Sequence, residues 1–158
     1  MKQWMKRALK LARSRDGNVL VEFAIGAGVL VAAFTGTFQF GYTFLQYNNL
    51  ENAVARGARY ASLIPYDSAT TTPSAGFQMA VQNMVLYGSP TAGTSPVLSG
   101  LTTGATGNVK LNVTFTNGIP SAMTVFISGY SINSIFATTA LTNKPQVTYA
   151  YQGIWEPI

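Results

Sequence analysis

The stretch RDGNVLVEFAIGAGVLVAAFTGTFQFGYTF, Arg15 to Phe44, decides the architecture. Beyond Glu22 it holds no charged residue, and the charge-free run continues to Leu50. A helix of about 20 apolar residues crosses the hydrocarbon core of a bilayer, and Phe23–Phe44 meets that need. Lys2, Lys6, Arg7, Lys10, Arg13 and Arg15 precede the run, with no acid among them. Such basic flanks stay on the cytoplasmic side, so the expected topology is N-terminus in and C-terminus out. Phe34, Phe38, Phe40, Tyr42, Phe44 and Tyr47 collect toward the far end, as in an outer interfacial belt. A buried soluble helix is the competing reading. It requires neighbours that cover an apolar surface on all sides, and no other segment is large enough to do so.

The helix is expected to outrun the membrane. No proline occurs before Pro65, and the segment after Tyr47 keeps helical spacing: Leu50, Ala53, Val54, Gly57, Ala58 and Ala61 fall on one side. Arg56 and Arg59 fall outside that seam. Asn18–Leu63 is then one helix of roughly 70 Å at 1.5 Å per residue. Ala24, Gly28, Ala32 and Gly36 form a row of small residues spaced by four. Within a membrane such a row lets two helix backbones approach closely, which makes it a candidate packing face.

Composition narrows the chemistry. Only 9% of the 158 residues are charged, against about 25% in an ordinary soluble domain. The net charge of +5 resides in the first 15 residues, and the remainder is close to neutral. It is therefore not a nucleic-acid footprint. With no Cys and no His, the chain has no disulfide, thiolate nucleophile, histidine base or histidine-ligated metal. After Pro65 the only acids are Asp67 and Glu156, far apart in sequence. No metal site, cofactor or catalytic residue is expected, and the chain reads as a non-enzyme. A membrane-tethered enzyme would have to act through Asp67 or Glu156.

Gly17, four residues, then Glu22 and Phe23, with a basic leader before and a long apolar segment after, resembles the processing site of type IV prepilins and pseudopilins. Across residues 15–62 the chain resembles, more narrowly, the TadE-like minor pseudopilins of tight-adherence (Tad) pili. Val21-Glu22-Phe23, Phe40-Gly41 and the run Asn52–Ala61, with Arg56, Gly57, Ala58, Arg59 and Tyr60, carry that likeness. The direct Arg56-Gly57 junction departs from the family's usual spacing. The resemblance implies a prepilin peptidase that cuts between Gly17 and Asn18. It also implies other pilins and pseudopilins, the pilus assembly platform and the membrane as partners. Cleavage frees an ammonium at Asn18, and Glu22 lies one helical turn away, where it can pair with that group on its own or a neighbouring chain. An ordinary secretory signal is the rival. Its cut, near Val31-Ala32-Ala33-Phe34, would discard Glu22 and most of the helix.

Three regions are thus expected: a basic leader over 1–17, a long hydrophobic helix over 18–63, and an exported domain over 64–158. In the last, Pro65–Pro73 is turn-rich and Ser74 caps a helix bearing Phe77, Ala80, Val81, Met84 and Val85, which Gly88 and Pro90 end. Gly88–Asn108 reads as a long surface loop. Val109, Leu111, Val113 and Phe115 alternate with polar residues as a strand. Asn117-Gly118 marks a hairpin, and Met123, Val125 and Ile127 continue as its partner. Ile132–Thr142 shows no clear pattern. Val147, Tyr149 and Tyr151 suggest a third strand, and Tyr149, Tyr151 and Trp155 are either packing or an exposed recognition patch. The expected class is α+β and pilin-like: a long membrane-spanning helix, a second helix and an antiparallel sheet of about three strands. The expected role is fibre assembly, as a minor subunit held in the cytoplasmic membrane and incorporated into a pilus. The alternative is a single-span anchor for a surface adhesin.

Overall fold

The computed structural model describes residues 15–157. The expected leader therefore lies, up to residue 14, outside the described residues. Helix α1 runs Arg15–Leu63. It includes Asp16-Gly17, ahead of the expected Asn18, and no proline occurs within these residues to stop the helix. It ends where Ile64 precedes Pro65, a position unfavourable to helix. The freed carbonyls at that end find tertiary partners. Gln152 N–H donates to the Ser62 carbonyl at 2.9 Å, and the Tyr151 hydroxyl donates to the Ile64 carbonyl at 3.1 Å.

Contacts divide the chain after Phe40. In the first unit the helix is exposed along its length, and its most apolar window has none of its area buried. This is the one helix among the described residues long and apolar enough to cross a membrane. The second unit, Gly41–Ile158, begins with the rest of α1. There Leu50, Ala53, Val54, Ala58 and Ala61 are fully buried, as the helical spacing predicts.

Helix α2, Ala75–Tyr87, starts where the Ser74 hydroxyl accepts the Phe77 N–H at 3.1 Å. Asp67 in turn accepts from the Ser74 hydroxyl, which orients the cap. Gly88 ends the helix in the left-handed region (φ 70°), where a side chain would be strained. Phe77, Val81, Val85 and Leu86 enter the core. Buried Gln82 and Asn83 do so as well, which the apolar pattern did not indicate. Gln82 joins α2 to the next strand: its amide donates to the Val109 carbonyl at 3.1 Å and its oxygen accepts the Gly104 N–H at 2.7 Å.

Strands β1 (Val109–Thr116) and β2 (Ile119–Ile127) form an antiparallel hairpin, and β5 (Gln146–Ala150) adds to the other edge of β2. Asn117 (φ 53°) and Gly118 (φ 79°) both take positive φ, the two-residue turn that suits strand twist. Val109, Leu111 and Val113 stand opposite Ile127, Val125 and Met123, on the core face. Val147 and Tyr149 extend that face from β5. Tyr151 lies one residue past the strand end. Its N–H goes to the Ser121 carbonyl, and its ring joins a cluster with Tyr66. The unpatterned region contains a second sheet, a ribbon of β3 (Tyr130–Asn133) and β4 (Thr138–Leu141). The loop before β1 is not wholly superficial: Leu98, Leu101 and Gly107 are buried.

The chain's end closes the unit. Tyr66 and Trp155 form a parallel bridge, with Tyr66 N–H on the Ile154 carbonyl at 2.8 Å and Glu156 N–H on the Tyr66 carbonyl at 3.0 Å. Tyr66 is fully buried, edge-on to Phe77, Phe115 and Tyr151. Trp155 donates its indole N–H to the Ser68 carbonyl at 3.0 Å. The fold class is therefore α+β, with a long apolar helix, a second helix and an antiparallel sheet of three strands, plus the additional ribbon.

Candidate functional site

The residues singled out in the sequence fall into two groups, and each belongs to its own unit. Gly17, Asn18, Glu22 and Phe23 occupy the first turns of α1, all exposed. Asn18 and Glu22 are one turn apart, about 6 Å along the axis at 1.5 Å per residue. Glu22 has no ion-pair or hydrogen-bond partner among the described residues. Ala24, Gly28, Ala32 and Gly36 are exposed as well, and a Cβ built on Gly28 or Gly36 meets nothing within 4 Å.

The second group is Arg56–Tyr60. Helical geometry sorts it by direction. Gly57 and Ala58 are buried, Tyr60 is half-buried against the core, and Arg56 and Arg59 are exposed. Gly57 is required by a close approach to α2: a Cβ there would lie 2.2 Å from Val85 Cγ2 and 3.5 Å from the Val81 carbonyl oxygen. The two guanidiniums line an open groove of about 540 Å³ with Asn49, Asn52, Val97 and Tyr149. Neither meets a carboxylate among the described residues. The groove was not evident from spacing, because Val97 and Tyr149 come from distant segments.

The remaining candidates have structural duties. Asp67 receives both the N–H and the hydroxyl of Ser74. Tyr151 and Trp155 are half-buried against the core, whereas Tyr149 is exposed at the groove. Burial raises the phenol pKa values of Tyr66, Tyr130 and Tyr151, and the nearby charge of Asp67 adds to the effect at Tyr66. No group of three acids able to hold a metal ion occurs among the described residues.

Taken together, the apolar helix and the α+β unit define a protein with a candidate single-pass membrane anchor. Residues 17–59 match the family model described as TadE-like protein. Across this helical segment the chain is similar to the TadE-like family. The match covers both the Gly17–Glu22 turns and most of the Arg56–Tyr60 run, and it stops before the sheet. No curated protein and no solved structure matches the chain.

Proposed function

We propose that this chain is a minor pseudopilin that takes part in assembling a Tad-type pilus. The observation that carries the reading is Glu22, a lone carboxylate one turn from Asn18 in an exposed, otherwise charge-free segment that matches the TadE-like family. A charge in a spanning helix is costly and generally marks function. A prepilin peptidase cuts between Gly17 and Asn18, and the new ammonium gives Glu22 its mate. At a separation of roughly 4 Å and an effective dielectric near 20, such a pair is worth about 4 kcal/mol. The cut requires an extended peptide, so the first turn of α1 must unwind. Gly17 eases that step, because glycine in a helix costs about 1 kcal/mol relative to alanine.

The N-terminus faces the cytoplasm in this reading and the α+β unit lies outside. Neighbouring pilins pack on the Ala24, Gly28, Ala32 and Gly36 row, and an acidic group of another subunit fits the groove of Arg56 and Arg59. The role is assembly and not catalysis. The test is the mass of the protein extracted from membranes of cells that make the pilus. Loss of residues 1–17 is expected; an intact Met1 overturns the reading and favours a simple membrane anchor.

A further inference from the structure

The β3–β4 ribbon ends in the turn Ser134-Ile135-Phe136-Ala137, closed by the Ser134 N–H on the Ala137 carbonyl at 2.9 Å. Hairpin turns that face water favour glycine, asparagine, aspartate and serine. Here two large apolar side chains stand at the tip, 60% exposed at Ile135 and 64% at Phe136. The base of the ribbon is secured: Tyr130, Ile132 and Leu141 are buried, and the Tyr130 hydroxyl donates to the Ser99 carbonyl at 2.9 Å. No charged residue occurs from Ser128 to Asn143.

The position of the tip is specific. The Ser134 and Thr43 hydroxyls are hydrogen-bonded at 2.7 Å. Thr43 belongs to the charge-free run Phe23–Leu50, beside exposed Phe44 and Leu45. The tip is therefore held beside Thr43, in a part of α1 where Tyr42, Phe44 and Tyr47 supply the aromatic side chains that gather at a membrane interface. We infer that Ile135 and Phe136 form a second membrane contact, inserted into the lipid leaflet from which α1 emerges. Interfacial elements with exposed apolar side chains enter about 5–10 Å below the headgroups. Two attachments, one helical and one at the ribbon, fix the orientation of the α+β unit on the membrane. The inference rests on the membrane-anchor part of the proposed function and does not need the peptidase cut.

Because the natural chain has no cysteine, single cysteines give unique labelling sites. The full chain is reconstituted in phosphatidylcholine–phosphatidylglycerol vesicles with an environment-sensitive fluorophore at Ile135→Cys. Val31→Cys serves as the mid-span site and Asn112→Cys as an exposed site on β1. The expected result at position 135 is a blue-shifted emission, with quenching by shallow acyl-chain nitroxides several-fold above that at position 112. Quenching of the 135 label by aqueous iodide, to the level seen at 112, overturns the inference. Shielding from both quenchers overturns it too, because a neighbouring protein subunit then covers the tip. If the Val31 label also escapes the lipid nitroxides, the anchor itself fails. If only the 135 label escapes, the anchor stands and the second contact falls.

Discussion

Gly57→Ala sets two physical effects against each other with opposite signs. Replacing a helical glycine by alanine ordinarily stabilises by about 1 kcal/mol. At Gly57, however, the added methyl would lie 2.2 Å from Val85 Cγ2, well inside contact distance. Valine on a helix is confined to one strongly preferred rotamer, so Val85 cannot simply turn away, and α1 and α2 must separate. Overpacking of a well-filled core costs about 1–3 kcal/mol, and so deep an overlap belongs in the upper part of that range. The expected net effect is a loss of about 1–2 kcal/mol. For a unit of this size that lowers the thermal transition by roughly 4–12 °C. The assay is thermal unfolding of the full chain in detergent, followed by Trp155 fluorescence in a Trp4→Phe background. Trp155 suits the purpose because its indole is bonded to the Ser68 carbonyl within the same unit. Val85→Ala should rescue the variant, with a coupling of about 1 kcal/mol or more in the double-mutant cycle. A Gly57→Ala transition at or above the wild-type value refutes the close approach of the two helices.

If the proposed cut after Gly17 takes place, Glu22→Ala is expected to be processed normally yet to be missing from sheared fibres on an immunoblot; normal incorporation removes the charge-pairing role. Gly28→Leu should leave the unfolding of the isolated chain within about 0.5 kcal/mol of wild type, because among the described residues nothing lies within 4 Å of a Cβ at that position. It should nevertheless impair incorporation, and a normal yield in fibres means that the small-residue row packs against no partner. Ser74→Ala removes the acceptor for the Phe77 N–H and should destabilise by about 0.5–2 kcal/mol in urea titrations; an unchanged midpoint denies the cap its role. Tyr66 and Tyr151 have phenol pKa values raised mainly by burial. Their contribution to stability is whole below the ordinary phenol value of about 10 and is lost as pH rises through the higher folded values. Phenolate absorbance should therefore show a late-titrating fraction, with the thermal transition falling in the same alkaline range. Titration of every tyrosine at the ordinary value contradicts this.

The parts of the fold legible in the sequence are those set by local chemistry. The apolar span, the buried seam Leu50–Ala61, the Ser74 cap, the Gly88 stop and the Asn117-Gly118 turn each depend on residues within a few positions of one another. What escaped the reading depends on distant partners. Gln82 is polar, and polarity suggests a surface position until the Val109 carbonyl and the Gly104 N–H supply its bonds. Leu98 and Leu101 lie in a segment rich in Gly, Ser and Thr, so no period identifies them as core. The β3–β4 ribbon has strands of four residues, too short for alternation to stand out. Tyr151 continued the alternation one residue past β5, with its N–H still on the Ser121 carbonyl of β2 and its ring against the core. At the candidate site the motif residues were legible, whereas the groove beside Arg56 and Arg59 required Val97 and Tyr149 from elsewhere.

The two glycine-bearing faces of α1 invite a direct comparison. At Gly57 the missing side chain has an internal explanation, since Val85 occupies the space that a Cβ would need. At Gly28 and Gly36 no such neighbour exists within 4 Å, so intrachain packing gives no reason for their small size. Glycine within a helix carries a cost of about 1 kcal/mol, and at Gly57 the close approach of α2 offsets it. In the proposed function the corresponding gain at Gly28 and Gly36 comes from neighbouring pilins. Glu22, on the same stretch of helix, has no partner among the described residues, and in the proposed function it makes the same demand in electrostatic form. In the proposed function, packing and charge both call for other molecules along the candidate membrane segment, while the C-terminal seam of the helix is completed by its own domain.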